Sequence, residues 1–421
     1  MTREPPGEPA RGIESVLRAT APSALAVLAR RVGDFDGSED AMQEALLAAA
    51  VQWPRDGVPD HPRAWLVAVA HRRWVEAVRS EAARRRREDR DALLERPGED
   101  APAVSERDDS LALFVLCCHP ALPRPSQLAL TLRAVGGLTT AEVARGLLAP
   151  EATVAQRISR AKRRIREAGG RFRAPTADEL PERLDAVRDV LHLVFTEGHT
   201  ATVGEDLLRP DLSAEAIRLT RLLREVEPAH ADGHGETEGL LALMLLTEAR
   251  RPARLRPRAT GGPELVPLDE QDRSRWDREL IAEGVRLVEH ALAHGAPGPY
   301  QLEAAIAAVH AEAPSTDETD WVQVLALYEL LRRERPGPMV ELGWVVAVAM
   351  VRGPDVALRE LETVALEPAL AGHFRVHAVR AHLLDRAGRT AEARAEFARA
   401  AGLALNATER RHLEAKAAGG G

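Results

Sequence analysis

The stretch TVAQRISRAKRRIRE, residues 153–167, carries six basic residues among its fifteen positions. Its apolar residues recur about one helical turn apart, which predicts a helix with one buried face; they are Val154, Ile158, Ala161 and Ile165. The opposite side of the same helix carries a polar set, Thr153, Gln156, Arg157, Arg160 and Arg164. A basic run of this kind is more often a solvated helix face than a nucleic-acid contact. The residues before it therefore decide between the two interpretations.

The preceding segment LTTAEVARGLLAP, residues 138–150, has the pattern of a short helix followed by a turn. Thr139 with Glu142 three residues later is a capping box, which marks a helix start. Pro150 ends the first helix and fits the first turn of the second, where its missing N–H costs nothing. A short helix, a tight turn and a basic amphipathic helix together predict a helix-turn-helix.

In a helix-turn-helix, the N-terminal part of the second helix enters the major groove of DNA. We expect Thr153, Gln156, Arg157 and Arg160 to meet base edges or phosphates there. The later basic residues are expected to touch the phosphate backbone; these are Lys162, Arg163, Arg164 and Arg166. Because capping, turn chemistry and periodicity agree, the DNA-binding interpretation is favoured over a solvated face.

A second basic segment, PRAWLVAVAHRRWVEAVRSEAARRRRE, covers residues 62–88. Its predicted apolar set is Trp65, Val69, Trp74 and Val78, and its other positions are rich in arginine. Basic side chains interleaved with aromatic rings suit single-stranded or melted nucleic acid, because the charges follow the backbone and the rings stack on bases. The alternative is that the tryptophans belong to the core beside a solvated helix face.

Composition predicts an all-α chain. Of 421 residues, 45% are hydrophobic but only 3% are aromatic, so the cores are built from Ala, Leu and Val, which favours helices. Two cysteines make no disulfide framework, which indicates a reducing cytoplasm. The longest apolar runs are too short for a membrane span, and the polar N-terminus is unlike a signal peptide.

Charge is divided unevenly along the chain. Residues 1–173 carry a net charge of +4, whereas residues 174–421 carry −12. This asymmetry indicates that the N-terminal part meets a polyanion and that the remainder does not.

Taken together, residues 14–173 resemble a bacterial RNA polymerase sigma factor of the extracytoplasmic-function type, a sigma-24-like branch of the sigma-70 family. EDAMQEALLAAA (residues 39–50) is similar to the region-two helix that docks on polymerase. PRAWLVAVAHRRWVEAVR (residues 62–79) is similar to the next helix, which carries promoter contacts. Residues 136–167 resemble the region-four helix-turn-helix that reads the upstream promoter element.

The resemblance implies a function: such proteins bind core RNA polymerase and direct it to promoter DNA, which region two melts. Polymerase contacts are implied at Asp40, Gln43 and Glu44. Contacts to the downstream element, including a base-capturing loop at residues 55–61, are implied at Arg55, Asp56, His61, Arg72, Arg73, Trp74 and Arg79. Contacts to the upstream element are implied at Thr153, Gln156, Arg157, Arg160 and Arg164. The apolar GLLAPEA turn (residues 146–152) departs from the family's usual hydrophilic turn, so the start of the reading helix is fixed only to within one or two positions.

Most sigma factors of this type end near residue 173, and this chain continues. Residues 240–254 and 268–284 resemble a subgroup with a long, helical, tetratricopeptide-like C-terminal extension. Within residues 377–406, the small or apolar residues that permit close helix pairing are Ala378, Ala381, Leu384, Ala391, Ala393, Phe397 and Ala400, with Gly388 at the turn. Residues 321–335 and 340–351 are a weaker match. Such stacks present a surface that binds a protein partner, and the sequence leaves open whether the extension activates or inhibits.

These observations divide the chain into a disordered tail (1–12), a region-two domain (13–94), a linker (95–109), a region-four domain (110–173), a second linker (174–181) and the helical extension (182–417). No catalytic arrangement is recognisable, so no enzyme activity, cofactor or metal is expected. HADGHGETE (residues 230–238) is interpreted as a loop rather than a metal site, and Cys117 and Cys118 as buried residues. DRSRWD (272–277) is interpreted as a loop pinned by arginine–carboxylate pairs. Two rival functions remain: a helix-turn-helix regulator that acts without polymerase, and an interaction scaffold.

Overall fold

The computed structural model describes residues 8–88, 113–119, 121–136, 138–147, 149–167, 178–202, 204–227, 234–258, 262–293 and 297–419. The all-α prediction is confirmed. The labelled helices are α1 (Glu8–Val32), α2 (Phe35–Asp56), α3 (Pro62–Glu88), α4 (Arg124–Ala134), α5 (Thr140–Gly146), α6 (Glu151–Glu167), α7 (Leu180–His199), α8 (Pro210–Val226), α9 (His234–Glu248), α10 (Arg278–Leu292), α11 (Pro299–Glu312), α12 (Trp321–Glu334), α13 (Pro338–Arg352), α14 (Pro354–Val364), α15 (Phe374–Arg386), α16 (Thr390–Leu403) and α17 (Ala407–Ala418). Residues 113–117 are also helical.

The described residues form two compact units. One extends to Leu193 and includes Glu225–Glu227, and the other comprises Val194–Arg224 and the described chain from His234 onward. The predicted start of the extension at residue 182 therefore falls inside α7, a helix whose first part packs with the N-terminal unit. There the buried Arg188 pairs with Glu227 at 2.8 Å. The linker predicted at 95–109 lies outside the described residues, as does the first half of the one predicted at 174–181.

Helices α1, α2 and α3 pack together as the first bundle. Helix α1 begins at Glu8, inside the segment for which the sequence predicts a disordered tail. Asp34 caps α2 by accepting a hydrogen bond from the Gly37 N–H at 3.1 Å. The core of the bundle is built mostly from small and aliphatic side chains with two buried aromatic rings; its largest members are Leu25, Leu28, Phe35, Met42, Trp53 and Leu66.

The buried face of α3 differs from the prediction by one position. Leu66 and Ala70 are fully buried, whereas Trp65, Val69 and Trp74 are half-buried and Val78 is exposed. The sequence pattern predicted the wrong buried face because it places the large aromatic side chains on one side of the helix in the core. The inner side is instead lined by Leu66 and Ala70, which pack against the neighbouring helices.

Helices α5 and α6 form the predicted helix-turn-helix, with α4 packed against both. Helix α5 starts directly after Thr139, as the capping pattern predicts. The Pro150 carbonyl accepts hydrogen bonds from the Thr153 N–H (2.9 Å) and the Val154 N–H (3.1 Å), so Pro150 is the cap of α6. Cys117 and Cys118 are buried beside α4 as free thiols, as predicted, and burial raises the pKa of Cys118 to about 12.

In the second unit successive helices pack against one another. Helices α12 and α13 pair as predicted from residues 321–335 and 340–351, and α15 pairs with α16 around Gly388, whose φ of 75° a glycine adopts without strain. Ala381, Leu384, Ala393 and Ala400 are buried between neighbouring helices, but Ala391 is exposed, contrary to the prediction. The irregular piece near residues 250–270 holds the hairpin of β1 (Leu255–Arg256) and β2 (Glu264–Leu265).

None of the helices that the structure describes is long and apolar enough to cross a bilayer.

Candidate nucleic-acid interface

The basic face of α6 is open to solvent. Its predicted core residues Val154, Ile158, Ala161 and Ile165 are all buried. On the other side Gln156, Arg160 and Arg164 are exposed, and Thr153 and Arg157 are half-buried. Within the described residues no carboxylate pairs with Arg157, Arg160 or Arg164. Three guanidinium groups along one helix face are thus left to attract an external polyanion.

Lys162 of the same helix behaves differently from the prediction that it touches the DNA backbone. Its side chain is almost fully buried, and its ammonium group lies 2.8 Å from Glu39, 2.9 Å from Asp40 and 3.0 Å from Asp36. Burial alone lowers the pKa of Lys162, but the charges of Glu39 and Asp40 outweigh burial and raise the pKa above its ordinary value. Lys162 is therefore a charged structural residue that joins α6 to α2.

Glu39 is the centre of this cluster. Its fully buried carboxylate is shared between Lys162 and Arg133, whose Nε lies 2.9 Å away. A buried carboxylate with two cations is stable only while its partners are present, since an uncompensated buried charge costs several kcal/mol. The cluster therefore ties the end of α4 and the middle of α6 to the acidic end of α2.

A stripe of α2 faces solvent beside this cluster. Of the residues predicted to dock on polymerase, Gln43 is half-buried and Glu44 is exposed, while Asp40 is largely exposed but also contacts Lys162. The stripe continues with two large apolar residues, Leu47 (63% exposed) and Val51 (59% exposed). Sequence reasoning missed both, although the spacing of 40, 44, 47 and 51 follows one helix face. Acidic residues followed by exposed apolar ones are typical of a protein contact.

The exposed basic residues of α3 differ in their partners. Arg72 and Arg79 are exposed and make no ion pair within the described part of the chain. Arg73 instead lies 3.6 Å from Glu44 and 3.3 Å from Glu76, so it borders the α2 stripe. Trp74 donates a hydrogen bond from Nε1 to Asp34 at 3.3 Å. Its ring packs over Gly37, where an added Cβ would lie 3.0 Å from the indole.

The loop after α2 is shorter than predicted. Arg55 and Asp56 belong to the last turn of α2, and only Gly57 to His61 are irregular. Gly57, with a φ of 85°, ends the helix through a hydrogen bond from its N–H to the Trp53 carbonyl at 3.0 Å. Arg55, Asp56 and His61 are all exposed, at the end of α2 and the start of α3.

Comparison with known proteins agrees with this geometry. Residues 16–84 match the model of sigma-70 region 2, and residues 115–165 match that of sigma-70 region 4. Residues 183–292 match a family of unknown function, DUF6596. An uncharacterized protein of Rhizobium meliloti (strain 1021) is 40% identical over 407 residues, which cover 95% of this chain and 94% of that protein. No solved structure matches.

The fold and the matched regions define a transcription-initiation protein of the sigma-70 class. The chain belongs to the sigma-70 family, with the arrangement of an extracytoplasmic-function-like sigma factor: region two, region four and a long C-terminal extension of the DUF6596 family.

Proposed function

We propose that this chain binds core RNA polymerase in the cytoplasm and directs it to promoters, where region two melts the DNA and region four reads the upstream element. The observation that carries the proposal is a pair of exposed surfaces of different chemistry in the first unit. One is the unpaired arginine face of α6, and the other is the acidic and apolar stripe of α2. A DNA-binding regulator without polymerase has use for the first surface only.

The upstream element is read by α6. Arg157 and Arg160 make base or phosphate contacts, Thr153 and Gln156 lie at the groove-facing end, and Arg164 follows the phosphate backbone. This assignment is supported by their position opposite the buried face of α6. Lys162, in contrast, remains a structural residue.

The downstream element is bound by the end of α2 and by α3. Arg55, Asp56 and His61 surround the site where an extruded base is held, and Arg72 and Arg79 follow the backbone of the melted strand. Trp74, by its contacts with Asp34 and Gly37, positions α3 against α2 and leaves only part of its ring for DNA. Arg73 lies on the border between the DNA surface and the polymerase surface.

Polymerase docks on α2 through Asp40, Gln43 and Glu44, together with Leu47 and Val51. Docking on Asp40 competes with Lys162 for the same carboxylate. Binding of polymerase therefore weakens one contact between α2 and α6, while Glu39 and Asp36 still hold Lys162. The helix pairs of the extension, tetratricopeptide-like in arrangement, serve as a platform for a protein partner.

The test is reconstituted transcription. Purified full-length protein is added to core RNA polymerase and genomic DNA of the source organism, and transcript start sites are mapped. We expect a small set of starts that share two spaced sequence elements and that require the protein. Starts that do not depend on the protein, together with duplex binding unaffected by polymerase, would favour the regulator without polymerase.

A further inference from the structure

Two irregular segments lie side by side in the second unit. One follows α9 and contains residues 250–254, and the other contains residues 272–277 before α10. The Asp277 N–H donates a hydrogen bond to the Ala249 carbonyl at 2.9 Å and joins them. Ala253 and Trp276 are buried at this contact. The arginines of both segments are thereby brought into one neighbourhood.

Two of these arginines are held by neutral acceptors. Arg254 donates to the His199 carbonyl and, at 3.0 Å, to the Thr200 hydroxyl. Arg273 donates to the carbonyls of His310 (2.5 Å) and Ala313 (2.6 Å), and its guanidinium lies 4.7 Å from the centre of the Trp276 ring. The loop is therefore pinned by arginine, but through carbonyl groups rather than through the carboxylates expected from the sequence. Carbonyls satisfy the donors and leave the positive charge uncompensated.

Arg250 has a different environment. Its guanidinium makes neither an ion pair nor a hydrogen bond to any residue that the structure describes. Burial, with the neighbouring charge of Arg273, lowers the pKa of Arg250 to about 10, so the group stays charged at neutral pH. A half-buried cation beside a second cation is unfavourable unless an anion joins them.

The surrounding rings carry buried polar atoms without a partner among the described residues: Nδ1 of His199, Nδ1 of His310 and Nε1 of Trp276. Burial, with the charges of Arg250 and Arg273, lowers the pKa of His310 to about 4, so this imidazole is neutral and can donate one N–H. Buried groups of this kind normally have a partner, and each exception needs an explanation.

Three carboxylates act on the same arginines, one of them Glu318, whose charge acts on Arg273. Glu248 is already paired with Arg251 at 2.5 Å, and Glu409 lies in the fields of both Arg254 and Arg375. Even so, with Arg278 included, the group holds six guanidiniums and three carboxylates. The excess positive charge lies around Arg250, where the described residues supply no acid.

We propose that Arg250, flanked by Arg254 and Arg273, binds a phosphate group of a small ligand within the C-terminal extension. The planar fork of a guanidinium matches the oxygens of phosphate in a bidentate arrangement. An excess of several guanidiniums fits a dianionic phosphate better than a singly charged carboxylate. The extension then carries a small-molecule site in addition to its helix-pair surface.

The test is calorimetric titration of the full-length protein with inorganic phosphate and, separately, with acetate at equal ionic strength. We expect saturable phosphate binding, much weaker acetate binding, and a more than tenfold loss of phosphate affinity in Arg250→Gln. Arg333→Gln, which removes an exposed arginine of the same unit, should bind as the wild type does. Absence of saturable phosphate binding, or wild-type affinity in Arg250→Gln, would overturn the proposal. Acetate binding as tight as phosphate would overturn its phosphate assignment.

A second measurement uses only the wild-type protein, so its outcome does not depend on whether a variant folds. Hydrogen exchange of the wild-type protein is followed with and without phosphate. We expect slower exchange in residues 249–254 and 272–277 and unchanged exchange in α16. Slowing confined to residues 153–167 would place the phosphate on the DNA-binding helix and contradict a site in the extension. Because neither readout involves transcription, their outcome is independent of the sigma-factor function.

Discussion

The charged groups of α6 and those of the extension show two uses of the same chemistry. On α6 Arg160 and Arg164 are exposed and Arg157 is half-buried, whereas the single lysine is buried among three carboxylates. In the extension the arginines themselves are partly buried, among carbonyls and aromatic rings. The open charges suit a long polyanion, whose binding weakens with salt. The buried ones fix the fold or hold a small anion in one place.

The largest expected effect is a loss of stability when the buried lysine of α6 is replaced. Lys162→Ala leaves Glu39 with Arg133 as its remaining partner, and we expect a loss of ~3 kcal/mol in the free energy of unfolding of the first unit. Arg163→Ala is the matched control, because Arg163 is exposed and contacts only Glu167, at 3.6 Å, among the described residues. Denaturant unfolding measures both variants. Equal stability of the two would show that the cluster is not structural.

The next effect concerns the open arginines. Arg157→Ala and Arg160→Ala should each weaken binding to the cognate upstream element by ~1–3 kcal/mol, since a base contact is lost. Unfolding should change by only a few tenths of a kcal/mol, since neither residue lies on the buried face. Binding titrations at several salt concentrations, alongside thermal unfolding, check both points. A large loss of stability with unchanged DNA affinity would show that these arginines stabilise the fold instead of binding DNA.

A smaller set of effects separates protein docking from DNA binding. Glu44→Lys and Leu47→Asp alter the exposed stripe of α2 without touching the Lys162 cluster. We expect each to reduce affinity for core polymerase about tenfold, which corresponds to ~1.4 kcal/mol. Val78→Asp, on the exposed side of α3, is the control. If both stripe variants co-purify with polymerase at the wild-type level, polymerase does not dock on this face of α2.

The smallest effect concerns a buried acid of the extension. Burial raises the pKa of Glu303 from its ordinary value of 4.5 to about 7, with Glu236 adding to the rise and Arg335 opposing it. The folded state thus favours the protonated acid, and its contribution to stability is lost as the pH rises through about 7. Relative to wild type, Glu303→Gln should gain about 1 kcal/mol of unfolding free energy between pH 6 and pH 8. The buried histidines affect the pH dependence of stability with the opposite sign, but they do so equally in both proteins, so the difference between the two proteins reports Glu303 alone. A difference in unfolding free energy that stays constant from pH 6 to pH 8 would show that Glu303 does not titrate in this range.

The sequence predicted the helices and the helix-turn-helix because capping residues and the 3.6-residue period are local signals. It predicted the buried face of α6 for the same reason. It could not predict that Lys162 turns inward, because the three acids that hold it lie more than a hundred residues earlier. The buried face of α3 was predicted one position away for a related reason. An aromatic ring can remain half-buried, so the inner side is identified only by the burial of Leu66 and Ala70 in the folded bundle.

In the extension, the sequence indicated a pinned, charged loop at residues 272–277 but assigned the wrong acceptors. Which carbonyls end up near Arg273 depends on where α11 ends relative to that loop. Arg250 carried no signal at all, since an arginine without a partner looks the same in sequence as a solvated one. Leu47 and Val51 could have been found, because exposed apolar residues extend the acidic positions along one face of α2.

The most direct measurement is a footprint of the protein with core polymerase on a promoter found by reconstituted transcription. We predict two separated protected segments, with unpaired bases in the downstream one. Combining Arg157→Ala with Arg160→Ala should remove upstream protection and leave the downstream segment, whereas Glu44→Lys should weaken both. A single protected segment that forms equally well without polymerase, with no unpaired bases, would contradict the account.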